Sequence, residues 1–249
     1  MNGAPHIEIR DLTMAHGEFV VQRDLNFVVN KGDIFVIMGG NGCGKTTLMR
    51  ALIGLQRPAH GTVLYDGEDF WNADAEQQAR LKRRLGVMFQ SGALWSSLTL
   101  AENVALPLKE YTALAPRRLA EIVSFKLALV GLAGFEEFYP AELSGGMKKR
   151  AGLARAMALD PDILVIDEPS SGLDPLTARR LDDLILELRD SLETTIIMIT
   201  HELASILGIG TNSVFLDTET RTMISTGNPK EAAASGDARV RHFLTRGTS

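Results

Sequence analysis

Apolar and polar residues take turns through the opening third of the chain. In HIEIRDL (6–12), EFVVQ (18–22) and LNFVVN (25–30) apolar side chains recur at about every second position, which predicts strands of an antiparallel layer with one face in a core. DIFVIM (33–38) breaks this pattern: it is a short, almost wholly apolar run that ends at glycines. Behind it, KTTLMRALIGL (45–55) places Leu48, Leu52 and Leu55 at helical spacing, so the expected order is strand, glycine loop, helix. TVLYDG (62–67) and RLGVMFQ (84–90) predict two more strands.

From residue 91 to 158 the pattern changes. SLTLAENVALPL (97–108), PRRLAEIVSFKLALVGL (116–132) and SGGMKKRAGLARAMALD (144–160) all predict helices, with no strand among them. Strand logic returns at DILVIDEP (162–169), followed by the helix PLTARRLDDLILELRDS (175–191) and the strand TTIIMITH (194–201). SVFLD (213–217) and TMISTG (222–227) close the series. Alternating strands and helices imply an α/β fold with a mainly parallel sheet covered on both faces. The expected division is a core of residues 1–90 and 159–230, a helical insertion at 91–158 and a tail of short helix and coil at 231–249.

Composition adds exclusions. The chain has 249 residues, 45% hydrophobic and 23% charged, with no low-complexity segment and no repeat, which is ordinary for a globular domain. A formal net charge of −5 argues against a broad nucleic-acid interface. A single cysteine, Cys43, makes an internal disulfide impossible and fits a reducing compartment. MNGAPHIEIR lacks the apolar stretch of a signal peptide, and the apolar runs are far shorter than the ~20 residues that span a bilayer. The expectation is a cytosolic protein, or one held at a membrane by a partner.

The chemistry concentrates in two glycine-bearing helix starts and three strand ends. Gly39–Thr46 fits G-x-x-x-x-G-K-[ST] between a predicted strand and helix, as a phosphate loop requires. Its glycines let main-chain N–H groups turn toward phosphate oxygens, Lys45 brings a point charge to the outer phosphates, and the Thr46 hydroxyl suits Mg²⁺. Cys43 reads as a small filler within the loop rather than a redox thiol. In ILVIDEP, four apolar residues carry Asp167 to the end of a buried strand, where a carboxylate can hold Mg²⁺. Glu168 comes next, placed to deprotonate a water. His201 and Gln90 also end apolar strands. The ring of the first can reach a γ-phosphate, and the amide oxygen of the second can reach the metal and the water. All three strand ends converge where an open parallel sheet places its ligand. The second helix start, LSGGMKKR (143–150), has the form of another anion site without a ligand of its own.

The ordered motifs GGNGCGKTT, Gln90, LSGGM, ILVIDEP, SGLDP and His201 resemble the ATP-binding subunit of an ABC transporter over essentially the whole chain. The resemblance implies a phosphate-loop ATPase core with an antiparallel layer and an inserted helical subdomain. It makes Gly39, Gly40, Asn41, Gly42, Cys43, Gly44, Lys45, Thr46 and Thr47 the ATP site, and Thr46, Gln90 and Asp167 the Mg²⁺ site. It makes Glu168 the base and His201 the γ-phosphate residue. Ser144, Gly145 and Gly146 then cap the nucleotide of a second subunit, and Asp174 links the two sites across a homodimer seam. Two positions depart from the pattern. Met147 replaces the commoner glutamine, and no aromatic residue obviously matches the adenine platform, although His16 in MAHGEF stands at about the right place.

FQSGALWSSLTLAENVALPL (89–108), LSGGMKKRAGLARAMALDP and GDARVRHFL (236–244) further resemble the ATPases of Mla-type, MCE-associated phospholipid transporters. That resemblance implies integral membrane permease subunits, an MCE lipid-binding protein, a small STAS-like cytosolic subunit and a place on the cytoplasmic side of the inner membrane. Trp95 and Leu98 would lie near the groove for the permease's coupling helix, or Trp95 would belong to the core. The KKR run (148–150) is either a solvated helix face or a source of positive potential near the phosphates. Another importer, a lipoprotein-release system and an iron–sulfur assembly scaffold stay open as alternatives. A chromosome ATPase is disfavoured because no long coiled coil separates the motifs.

Overall fold

The computed structural model describes residues 5–245; residues 1–4, and residues 246–249 of the tail, lie outside it. β1 (Pro5–His16) and β2 (Phe19–Asn30) form a long antiparallel pair, and β3 (Ile34–Gly39) leads through the glycine loop into α1 (Lys45–Leu52). β4 (His60–Tyr65) and the two-residue β5 (Glu68–Asp69) follow, then α2 (Ala75–Arg83) and β6 (Leu85–Met88). Helices α3 (Leu100–Tyr111), α4 (Pro116–Leu129) and α5 (Gly145–Ala156) come next. The chain then alternates through β7 (Ile163–Asp167), α6 (Pro175–Leu192), β8 (Thr195–Ile199), α7 (Leu203–Ile209), β9 (Asn212–Leu216) and β10 (Met223–Gly227). It closes with α8 (Pro229–Ser235) and α9 (Ala238–Thr245).

Two sheets result. One is antiparallel, in the order β2-β1-β4-β5; the other runs β10-β9-β3-β8-β7-β6 and is parallel except for β10. The wholly apolar strands of the second sheet sort their side chains by parity. Ile34, Val36, Met38, Leu164, Ile166, Ile196 and Met198 face the helical side, in one core with residues of α3–α6. Phe35, Ile37, Ile163, Val165, Ile197 and Ile199 face the other way, toward α1 and the antiparallel sheet. A sheet buried on both faces needs this continuous apolar run. Each fully buried Leu, Ile or Val contributes roughly 1.5–3 kcal/mol.

The structure departs from the sequence reading in local, explicable ways. EFVVQ and LNFVVN are one strand, not two, because Arg23 and Asp24 stay within β2 with Asp24 at φ 53. Helix α1 stops at Leu52. Gly54 takes φ +74 and the Leu55 N–H returns to the Arg50 carbonyl, a glycine-terminated helix end that turns Leu55 outward. Two helices were not foreseen. α2 buries only Leu81 and has no apolar stripe; its signal was the capping box in which Asp74 and Gln77 satisfy each other's main-chain N–H groups. α7, with seven residues, is too short to show a period.

Between the parallel sheet and α3, a surface loop is tied down by one side chain. Asn103 is fully buried; its Oδ1 accepts from the Trp95 N–H at 2.8 Å, and its Nδ2 donates to the carbonyls of Trp95, Leu98 and Thr99 at 3.1, 3.1 and 2.9 Å. Trp95 itself is 62% exposed, so it is held by its backbone and is not a core residue. Asn103→Ala is expected to lower stability by about 2–4 kcal/mol, because four main-chain groups lose one common partner. Urea unfolding followed by circular dichroism measures this loss.

Candidate functional site

Parallel pairing sets the ends of the central strands side by side. Ile199 of β8 pairs with both Ile37 of β3 and Asp167 of β7, so the phosphate loop, Asp167–Glu168 and Thr200–His201 all leave the sheet at one level. Gln90 follows β6 by two residues and opens a short 3₁₀ turn, Gln90–Ala93, rather than ending a strand; its side chain is exposed.

The phosphate loop is shaped from below. Gly39 has φ +148, and a Cβ there would lie 2.3 Å from the Leu216 carbonyl oxygen and 2.7 Å from Cys43 Sγ, so only glycine fits. Cys43 is buried, and burial pushes its thiol pKa up, which makes it an unreactive filler. Lys45 Nζ donates to the Gly39 and Gly40 carbonyl oxygens at 2.9 and 3.0 Å. Asn41, Gly42 and Thr46 are exposed, while Gly40, Gly44 and Thr47 are half-buried. With His16, Phe19 and Val21, the residues Gly42, Gly44, Lys45, Thr46 and Thr47 line a cavity of about 310 Å³.

Two members of this region escaped the sequence reading. Phe19 is 57% exposed at the cavity wall, with the Arg221 guanidinium 4.6 Å from its ring centroid. His16 lines the same wall, and Gln56 Nε2 lies 3.5 Å from its Nδ1. The signal for Phe19 was its place three residues after His16, across the turn. Gln22 is fully buried, and its Nε2 donates to the carbonyls of Cys43 (2.7 Å) and Asp217 (2.9 Å), binding the loop to the end of β9. A polar residue at an inward position of an apolar strand was the available clue.

At the end of β7, Asp167 is half-buried. Burial and the neighbouring Glu168 raise its pKa, and Lys45 opposes them. Glu168 takes the left-handed φ of 49. Its Oε1 lies 2.8 Å from His201 Nδ1, whereas its Oε2 is buried and unpartnered. His201 is half-exposed and also has Glu202 at 3.8 Å from Nε2.

The second helix start stands apart from this cluster. Ser144 caps α5, its Oγ accepting from the Met147 N–H at 3.3 Å, and Ser144 and Gly145 are exposed. Ser144, Gly146 and Met147 line a groove of about 570 Å³ with residues of α4 and α6, and no phosphate-loop residue lines it. Asp174 caps α6 through Leu176 and Thr177 N–H groups at 3.1 and 3.0 Å; hydrogen bonding from the Thr177 side chain first, and then from these N–H groups, holds its pKa down.

The KKR run is not a solvated face. Arg150 donates to the Val130 and Gly131 carbonyls at 3.1 and 3.3 Å. Lys149 is buried and donates to the Glu168 and Ser171 carbonyls at 3.0 and 2.5 Å. No helix among the described residues is long and apolar enough to cross a membrane.

Comparison with known proteins gives this geometry a context. Residues 22–171 match the ABC transporter family. The intermembrane phospholipid transport system ATP-binding protein MlaF of Haemophilus influenzae is 39% identical over 96% of this chain and 89% of that protein. MlaF of Escherichia coli K12 is 38% identical over 96% and 88%. The probable ribonucleotide transport ATP-binding protein mkl of Mycobacterium tuberculosis H37Rv is 38% identical over 96% of this chain but 66% of its own length. Among solved structures, the dimeric post-hydrolysis state of the ATP-binding cassette MJ0796 bound to ADP and Pi aligns with a TM-score of 0.80 and 26% identity, over 89% of this chain and 98% of that one. The fold of cbiO1 from Clostridium perfringens, part of the ABC transporter complex cbiONQ, aligns at 0.85 and 24% identity over 98% and 96%. With sequence and fold agreeing over nearly its whole length, the chain belongs to the ABC transporter family, as an ATP-binding subunit that hydrolyses ATP.

Proposed function

We propose that this subunit energises phospholipid transport between bacterial membranes, as a homodimer seated on integral permease subunits with an MCE-type lipid-binding protein. Its place would then be the cytoplasmic face of the inner membrane. The cargo rests on the similarity to two MlaF proteins along almost their full length. A STAS-like subunit belongs to this reading through the same resemblance. The name of mkl supports a second cargo class, a polar nucleotide. Lipids copurifying with the detergent-extracted complex separate the two.

One observation carries the catalytic part: Glu168 offers a buried, unpartnered Oε2 while Oε1 is held by His201 at 2.8 Å. Held in this way, the carboxylate keeps one oxygen without a partner, which would take a proton from a water once ATP opens the site to it, while His201 Nε2 would turn to the γ-phosphate. Lys45 exchanges its two carbonyl partners for phosphate oxygens, and main-chain N–H groups at the start of α1 take the β-phosphate. Thr46, Gln90 and Asp167 would supply oxygen donors only, a chemistry that fits Mg²⁺, a cation usually held by one or two carboxylates plus substrate phosphates. Among the described residues no cluster of three or more His, Cys, Asp or Glu competes for a metal. When bound, Mg²⁺ offsets negative charge on the transferred phosphoryl group. The separation of the α5 start from the phosphate loop supports its use by a second copy: Ser144–Gly146 would cap the partner's γ-phosphate, with Asp174 at the seam. ATP then favours the closed dimer by touching both halves, and hydrolysis removes that preference. Trp95 is exposed and Leu98 half-buried where this reading places the permease.

Glu168→Gln is expected to lower kcat by about 10²–10⁴-fold while ATP binding persists and closed dimer accumulates; size-exclusion chromatography with a phosphate-release assay reports both, and near-normal turnover removes Glu168 as base. Ser144→Trp should abolish turnover yet leave nucleotide affinity of the single subunit within a few-fold, and collapse of binding would place residue 144 in its own subunit's site. Phe19→Ala should weaken ATP binding by about fivefold or more, the loss of one stacking surface, and more than His16→Ala does; calorimetric titration of both variants decides which residue is the platform.

A further inference from the structure

Lys149 is a cation that neither the phosphate loop nor the signature start accounts for. It is only 5% exposed, deep in α5, one helical turn beyond Gly145. Its ammonium bonds to main-chain carbonyls, Glu168 O at 3.0 Å and Ser171 O at 2.5 Å. Burial of an ammonium is unfavourable unless its donors are satisfied, and an apolar side chain of equal volume would fill the space without that requirement. The surroundings therefore favour Lys149 for where its donors point.

They point at a residue whose backbone is unusual. Glu168 is held at φ 49, a conformation that disfavours side-chain-bearing residues by roughly 1–2 kcal/mol. Two external bonds clamp it: its N–H donates to the Ile199 carbonyl at 2.8 Å, and its carbonyl accepts from Lys149. The N–H clamp comes from β8, the strand that leads to His201; the carbonyl clamp comes from α5, which begins at Ser144–Gly146. The same ammonium also reaches Ser171, at the start of the turn that ends in Asp174.

We propose that Lys149 is a positioning residue for hydrolysis, fixing the Glu168 backbone and the 171–174 turn to the signature helix so that the carboxylate meets its water only when α5 is correctly placed. This inference rests on the reading of Glu168 as the base. In a dimer closed by Ser144–Gly146, it makes α5 the element through which engagement of one nucleotide reaches the base acting on the other.

Full-length Lys149→Met and Lys149→Gln, with Glu168→Gln as control, test it by steady-state ATP hydrolysis, trinitrophenyl-ATP binding without Mg²⁺, and circular dichroism. Misplacement by about 1 Å can cost ~10²-fold in rate. Lys149→Met should therefore lose about 10–100-fold in kcat, with KM and trinitrophenyl-ATP affinity within about twofold. Lys149→Gln keeps carboxamide N–H donors and should recover a substantial part of the rate. Wild-type kcat in Lys149→Met overturns the proposal, as do equal losses in two folded variants. Should Lys149→Met fail to fold, Lys149→Ala, which also removes the donors, takes its place: a fall in kcat at unchanged affinity supports the role, and unchanged kcat or lost affinity overturns it. A normal rate in Glu168→Gln refutes the underlying base assignment, whereas an inactive Glu168→Gln beside a normal Lys149→Met refutes only the role of Lys149.

Discussion

Burial of the parallel sheet on both faces constrains everything else in this molecule. The apolar side chains of β3, β7 and β8 are committed by parity to one of two cores, which leaves the middles of these strands no room for polar chemistry. What remains are the strand ends, where the chain leaves the hydrogen-bonded ladder. Phosphate loop, Asp167–Glu168 and His201 occupy three adjacent ends at one level because Ile199 pairs on both sides. Their mutual geometry thus inherits the stiffness of a close-packed interior.

At those ends the chain manages charge with main-chain oxygen. Lys45 lies on the Gly39 and Gly40 carbonyls, Lys149 on those of Glu168 and Ser171. The two lysines use the same contacts at different depths. Lys45 is half-buried at the cavity wall, where the proposed mechanism has it trade carbonyls for phosphate; Lys149 is buried. Burial lowers the pKa of Lys149, with Glu168 and Glu202 acting to raise it, while Asp167 is raised by burial and by Glu168. Asp167 therefore sits where an added positive charge is favourable, which supports the proposal that it holds the metal.

Distance between the two helix starts shapes the proposed mechanism. One lines a cavity with His16 and Phe19, the other a groove between α4 and α6. An anion held by the first is not enclosed by the second within one subunit. The proposed two-fold pair would resolve this by letting each copy complete the other, and such an arrangement would convert the chemistry of one phosphate into a change in quaternary contact. Asp174, used here as the cap of α6, lies on the short turn between Glu168 and that helix, so movement of the proposed seam would bear directly on the segment that carries Glu168.

Much of this was legible in the chain. Strands of uniform apolar character, the glycine loop, the carboxylates after ILVI and the capping serine before two glycines announce themselves locally, because backbone conformation and phosphate chemistry admit few residue types at those spacings. The extent of β2, the early end of α1, and helices α2 and α7 were less legible, since caps and single turns lack the periodicity that marks longer elements. The partners of Lys149, Phe19 and Gln22 were not legible at all. Lys149 reads as one more charge in a basic run, and only the packing of α5 against the turn after β7 aims it at Glu168 and Ser171. Phe19 becomes the aromatic wall of the cavity only when β1 and β2 pair beside the loop, and Gln22 meets Asp217 across 195 residues. Sequence determined which chemistry the chain carries because that chemistry is encoded over a few consecutive residues. Tertiary structure alone decided which groups orient it, because those contacts join residues whose separation along the chain holds no record of their meeting.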